Sequence, residues 1–336
     1  LKHFIQGWQS FTKTDYPAAV EHWTKAYSHD SSFYTPRAML IYAYGNQGLT
    51  KEARQILFEI YPEIEKMPLL GQLWLKYTKS VYDKDPHTSI RSLEEVLDAE
   101  PYFRGATWQI GWEYSRIHQF EKAAEYFEKA LEIDRQWGGT FGWPAFYTTP
   151  ANIYHRLGNH KREKEILELG LRNVPENRSM LRRLAICALS RGSSEEAEEY
   201  LSRFRRTRES EGANGDLIEF EIGRIHLEAG MITEGMEMLL KAVEIFPERS
   251  WVRYVTGWSL IEHEQDVEEG MRHIEEALKS NPDNAAYLEA KGLGLFKLDR
   301  MEEAKKVLEK AWDLRYEYNH EHYLLLQEVN QALAVQ

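Results

Sequence analysis

The sequence predicts an all-α protein built as an array of stacked helical hairpins, and three observations predict it. A pattern of a small residue, a large apolar residue four later and a small or apolar residue seven later recurs along the chain, most plainly at Ala123, Phe127 and Ala130. Its first positions are Ala19, Ala53, Ser89, Ala123, Glu163, Ala197, Gly235, Gly270 and Ala304, and four of the eight intervals between them are 34 residues. A second small position, at Gly7, Gly111, Ala151, Ala185, Gly223, Gly257 and Gly292, comes twelve or thirteen residues earlier. Finally, glycines and prolines punctuate the chain at constant offsets from both series.

Each observation has a physical reading. Residues spaced i, i+4, i+7 share one face of a helix, so every triplet marks a helix that shows small and large residues to a neighbour. We term this helix B. The earlier series marks helix A. Glycine in a helix interior costs about 1 kcal/mol relative to alanine, so its repeated use predicts a close approach of two helix backbones. Gly48, Gly158, Gly192 and Gly230 lie between A and B, where a C-terminal cap belongs. Pro101, Pro175, Pro247 and Pro282 follow helix B and stop it.

Composition agrees. Ten Trp, 19 Tyr and 13 Phe in 336 residues exclude a disordered chain. The 42 basic and 54 acidic residues give a net charge of -12, which argues against sequence-independent binding to nucleic acid or to an anionic membrane. No apolar run is long enough to span a bilayer, so no membrane insertion is expected. The lone Cys187 allows no internal disulfide. The opening residues Leu1, Lys2 and His3 lack both an initiator Met and a signal core, which points to a segment of a longer protein and leaves the compartment open between cytoplasm and an extracytoplasmic setting.

With Ile110-Gly111, Tyr114, Ala123, Phe127 and Ala130 at these offsets, the 34-residue unit resembles the tetratricopeptide repeat, and the likeness runs nearly the whole chain. It implies a right-handed superhelical solenoid over residues 1–336, of nine repeats near 1–33, 34–67, 68–102, 103–136, 144–176, 177–209, 215–248, 249–283 and 284–317. A last helix at 321–334 would seal the exposed end of the stack. Residues 283–314 also resemble the closing repeats of tetratricopeptide regions attached to bacterial kinases, cyclases and DNA-binding regulators, which implies a regulatory or sensory segment as an alternative function.

The resemblance places peptide or partner-helix binding on the concave face lined by helix A. Its fifth and ninth positions, with their neighbours, give Phe4, Trp8, Tyr42, Trp108, Trp112, Arg116, Asn152, His155, Arg182, Phe220, Arg224, Tyr254 and Trp258. Aromatic rings with polar tips are common anchors of protein contacts, and the guanidinium groups among them suit carboxylates and carbonyls. Phe4 and Trp8 stand where some family members carry the Lys and Asn of a carboxylate clamp, so a chaperone-tail clamp is not expected. A protein or peptide is the expected partner, with a second copy of the chain as a further one.

Three irregularities complete the reading. Ile41 and Tyr77 replace small residues in the second and third repeats, and Asp83-Lys84-Asp85-Pro86 is expected to lengthen the turn there. The interval of 40 between Ala123 and Glu163 holds Trp137, Phe141 and Trp143, read either as a plug filling the gap or as an aromatic lip for a small-molecule ligand. The interval of 38 between Ala197 and Gly235 reads as a polar loop at 209–215. Beside it, Arg203, Arg205, Arg206 and Arg208 form a basic run, either complementing a helix C-terminus or attracting an acidic segment.

Nothing predicts catalysis or a cofactor. There is no HExxH, paired-Cys or GxxxxGK[ST] motif. Gly292 and Gly294 fall inside a helix A rather than after a strand, His320 and His322 do not share a helical face, and Cys187 sits among apolar residues. No metal site, catalytic residue or cofactor is therefore expected.

Overall fold

A computed structural model describes residues 1–335. Among the described residues it is all-α. The nine hairpins are α1 (Lys2–Thr12) and α2 (Tyr16–His29), α3 (Tyr34–Asn46) and α4 (Thr50–Ile60), α5 (Leu69–Tyr82) and α6 (Pro86–Ala99), α7 (Arg104–Arg116) and α8 (Phe120–Gln136), α9 (Ala145–Arg156) and α10 (His160–Asn173), α11 (Arg178–Ser190) and α12 (Ser194–Ser210), α13 (Gly215–Glu228) and α14 (Ile232–Ile245), α15 (Ser250–Glu262) and α16 (Val267–Ser280), and α17 (Ala285–Lys297) and α18 (Met301–Leu314). A final helix, α19 (His320–Val335), follows. The chain divides into two compact units, one of Leu1–Phe146 with Tyr316–Tyr318, the other of Tyr147–Arg315 with Asn319–Gln336. No helix among the described residues is long and apolar enough to cross a membrane.

The turn between helices A and B is one device repeated nine times. A single residue in each takes a positive φ: Thr14, Gly48, Lys84, His118, Gly158, Gly192, Gly230, Glu264 and Asp299. The four glycines are those the sequence marks. The other five turns adopt the same left-handed geometry with side chains, which no glycine count can reveal. Helix B is then often opened by a capping side chain, as Asp15 accepts from Ala18 N (3.2 Å) and Asp266 from Glu269 N (2.9 Å). The four marked prolines each lie two residues beyond the last residue of helix B, at Ala99, Asn173, Ile245 and Ser280.

The small residues sit in the A–B seam. A Cβ on Gly7 would lie 2.2 Å from the Trp23 ring, and one on Gly292 would lie 2.4 Å from Leu308. Between α15 and α16 the seam is backbone on backbone. A Cβ on Gly257 would meet the Gly270 carbonyl at 2.7 Å, and one on Gly270 would meet the Gly257 carbonyl at 2.8 Å. Glycine's entropic cost is thus offset by contact that no other residue permits.

Two expected loop lengths are corrected. The Asp83-Lys84-Asp85 turn is no longer than its counterparts: Asp85 caps α6 and Pro86 is its first residue, where a missing N–H costs nothing. The extra residues form instead a 3-10 segment at Tyr61–Lys66, between α4 and α5. Likewise, the loop expected over 209–215 is confined to 211–214. α12 runs 17 residues to Ser210, because no Gly or Pro interrupts it before Gly212, and Arg205 and Arg208 of its last turns reach Glu219 and Glu221 of α13 at 3.0 and 2.8 Å.

Candidate functional site

In the first unit the helix A faces of α3, α5 and α7 carry a continuous polar and aromatic row. Thr78 donates to the Trp74 carbonyl at 2.8 Å, so the Tyr42 hydroxyl must be the donor in its short bond to Thr78. Trp74 stacks on Phe103, with ring centroids 5.6 Å apart. The Tyr77 hydroxyl donates to Glu113 at 3.1 Å, and Arg116 holds the same carboxylate at 3.0 Å. Glu113 is fully buried and Arg116 nearly so. Burial pushes the Glu113 carboxyl above its usual range, with the Arg116 charge acting in the opposite sense. It also drives the Tyr77 phenol well up.

A short stretch of this unit lies against that row. Arg116 Nη2 donates to the Tyr318 carbonyl at 2.7 Å and lies 3.7 Å from the Glu317 carboxylate. Tyr316 packs on Tyr82 with centroids 5.6 Å apart, and burial raises its phenol to about 12. Residues 315–319 form no helix. The face thus holds three non-helical residues by a guanidinium on a main-chain carbonyl, a carboxylate close to the same cation, and ring contact.

The sequence-predicted rings divide between surface and core. Trp8 is 39% exposed at the edge of a cluster with Phe11 and Trp23, and Phe4 meets Phe33 edge-on. Tyr42 and Trp112 are half-buried on the helix A face. Two expectations are corrected. Trp108 is enclosed by Trp112, Phe127 and Trp143, and Phe220 is wholly buried against Trp251 and Leu239. Both are core, because the fifth position of helix A turns toward the following helix wherever bulky neighbours wall it in. In the second unit Tyr254 stacks on Tyr287 at 4.7 Å and Trp258 donates to Glu262 at 2.8 Å, both half-buried. Arg182 is tied to Glu228, Arg224 lies half-buried nearby, and Asn152 is half-buried on α9.

The aromatic insert is largely a plug. Trp143 lies 4.8 Å from Trp108, Phe141 is 5.0 Å from Phe146, and the Arg104 guanidinium sits 3.7 Å over the Phe141 ring. Trp137, 59% exposed, touches only the rim of this cluster through Arg104 at 5.2 Å. Trp143→Ala should therefore cost about 2 kcal/mol while Trp137→Ala costs less than about 1. Equal losses in thermal denaturation would contradict this division.

Three of the four guanidinium groups in the basic run are neutralised by carboxylates. Arg203 pairs with Glu176 at 2.7 Å, Arg205 with Glu219, and Arg208 with Glu221 and Glu211, while Arg206 donates to Ser202. An acidic segment would have to displace these carboxylates. Cys187 is buried, as expected, and burial raises its thiol to about 12. His322 is also buried, bonded to the Leu308 carbonyl at 2.9 Å.

The sequence reading missed three features. Trp74 and Thr78 lay in the repeat whose register Tyr77 obscures. Glu113 is one residue from Trp112 and looks like a solvated charge. Most unexpected is a cluster in the second unit, where His155 Nδ1 (2.9 Å) and His160 Nδ1 (3.0 Å) converge on one oxygen of Glu163. His155 was read as a groove residue and Glu163 merely as a seam position; a carboxylate among eight Ala, Ser and Gly residues was the available signal.

Residues 106–136 and 165–214 each match models of the tetratricopeptide repeat family. No curated protein matches the chain. Among solved structures, a tetratricopeptide repeat protein from Parabacteroides merdae is 16% identical, covering 77% of this chain and 98% of its own at a TM-score of 0.45. PilW, a type IV pilus biogenesis factor, is 16% identical over 65% of this chain and 96% of its own at 0.49. YrrB, described as a TPR protein with an unusual peptide-binding site, is 16% identical over 62% and 99% at 0.33. At these TM-scores the likenesses carry no functional weight. The two family matches identify tetratricopeptide repeats at residues 106–136 and 165–214, set among hairpins that share one turn geometry along the described residues.

Proposed function

We propose that the chain is a non-catalytic scaffold whose first unit holds a non-helical, aromatic–acidic–aromatic segment of a protein partner on its helix A face. One observation carries the reading: Tyr316-Glu317-Tyr318 already lies on that face, held through its own main chain by Arg116. A carbonyl taken by a guanidinium is sequence-neutral, whereas rings against Tyr82 and a carboxylate near Arg116 select composition. The titratable groups beneath are committed to one another, Tyr77 to Glu113 and Glu113 to Arg116, which suits holding rather than turnover. A partner's segment would replace the resident one. Peptides displayed against a Tyr316→Ser/Tyr318→Ser chain should therefore be enriched in an acidic residue flanked by aromatics. Selection of unrelated sequences would defeat the reading.

A further inference from the structure

We propose that His155, His160 and Glu163 form a binding site for a zinc-like divalent cation in the second unit. His155 lies in the last turn of α9, His160 opens α10, and Glu163 stands one turn further along α10. The three-residue turn between the helices therefore brings two imidazoles over one carboxylate. One donor atom from each residue lies within 4.8 Å of the others, and the two imidazole rings are 5.0 Å apart, edge to face.

The chemistry of the donors fits. Two neutral imidazole nitrogens and a carboxylate oxygen are ligands that zinc takes, leaving a fourth position for water. Metal–ligand distances of about 2.0–2.2 Å at tetrahedral angles put neighbouring donors about 3.3 Å apart. The two Nδ1 atoms lie 2.9 and 3.0 Å from Glu163 Oε2, so only a small outward movement would admit a cation. The histidine side chains are 19% and 24% exposed and give access from solvent, while the Glu163 side chain is wholly buried beneath them.

A second observation is independent of the distances. Glu163 occupies the seam position that holds Ala, Ser or Gly in the other eight repeats. A buried carboxylate is costly unless something compensates its charge. Arg183 lies 3.5 Å from Oε1 and Oε2 is left to the two histidines. Arg183 also faces Glu228 at 3.5 Å, so its charge is shared and does not by itself neutralise the cluster. Its proximity weakens cation binding through like-charge repulsion. The Cys187 thiol is engaged with the His160 carbonyl at 3.4 Å and walls the site without entering the ligand set.

The test is titration of the intact chain with Zn²⁺, followed by calorimetry and thermal denaturation, with Co²⁺ as a spectroscopic substitute. One equivalent should bind, raise the melting temperature and give Co²⁺ the intense visible absorption of a four-coordinate site. Glu163→Ala restores the residue type that the seam carries elsewhere and so keeps the fold; it should weaken binding about 100-fold or more, beyond what loss of a metal's outer partners costs. His160→Gln should do the same. No binding to the parent chain would overturn the proposal, the trio then being a hydrogen-bonded cluster with both imidazoles protonated at Nδ1. Equal binding by the parent and Glu163→Ala would also overturn it, placing the cation elsewhere, for instance among His3, His22 and His29, whose rings lie 5.5 and 6.1 Å apart.

Discussion

Arg116→Met is expected to destabilise the first unit by about 3–5 kcal/mol at neutral pH, since it leaves the buried Glu113 carboxylate without its counter-charge. Tyr77 alone would remain as a donor to it. The pH dependence follows from the direction of the shift. Glu113 is already pushed up by burial, and losing Arg116 removes the influence that opposes this. An acid whose value is raised in the folded state contributes its full stability below its unfolded value, about 4.3. That contribution is lost as pH rises through the raised folded value. The variant should therefore lie nearest the parent chain at about pH 4–5 and furthest from it at pH 7 and above. Adding Glu113→Gln should recover most of the loss, because it removes the charge that needed a partner. Chemical denaturation of the three chains at two pH values is sufficient. A deficit independent of pH, or not relieved by Glu113→Gln, would mean that Arg116 acts through packing alone.

Gly257→Ala should be among the most damaging single methyl groups that can be added to the second unit, costing about 2–3 kcal/mol. Intrinsic propensity points the other way, since alanine is favoured over glycine in a helix by about 1 kcal/mol. Geometry decides. The added carbon would lie 2.7 Å from the Gly270 carbonyl oxygen and 3.0 Å from the His273 Cβ. Neither is the free end of a flexible side chain, so α15 and α16 must separate. Separation then loosens Ile261, Ile274 and Leu260, which these helices bury between them. Gly215→Ala is the control, for its Cβ would meet nothing within 4 Å at the first turn of α13. That change should be neutral or mildly stabilising. A stable Gly257→Ala chain, measured by thermal denaturation, would show that the seam has slack.

These expectations separate what was readable in the sequence from what was not. Helix pairing, the A–B seam and the proline stops were readable because each depends on the size or backbone freedom of a residue at a fixed period. The same period hid the chemistry. It marks Trp108 and Phe220 as members of an aromatic series, yet their burial depends on Trp143 of the insert before α9 and on Trp251 of α15. It marks Glu113 as one more charge in a chain with 54 acidic residues, though the side chain is wholly enclosed. The lengths of the irregular segments were legible and their conformations were not. An extra stretch of sequence becomes added helix in α12 and a 3-10 segment after α4, according to whether a breaker interrupts it. Least legible was the contact of Arg116 with Tyr318, two residues 202 positions apart, for which no local pattern exists.

The most direct measurement of the account is a titration in trans. A synthetic peptide matching residues 313–320 (DLRYEYNH) would be added to the Tyr316→Ser/Tyr318→Ser chain, whose own segment no longer offers its rings to the face. Binding is followed by fluorescence anisotropy of a labelled peptide. The account predicts saturable one-to-one binding that is weaker to the parent chain, where the resident segment competes. It also predicts loss of binding in the same chain carrying the compensated pair Glu113→Gln/Arg116→Met. Equal binding to all three chains, or binding to none, would contradict the claim that the helix A face of the first unit is a seat for a non-helical peptide segment.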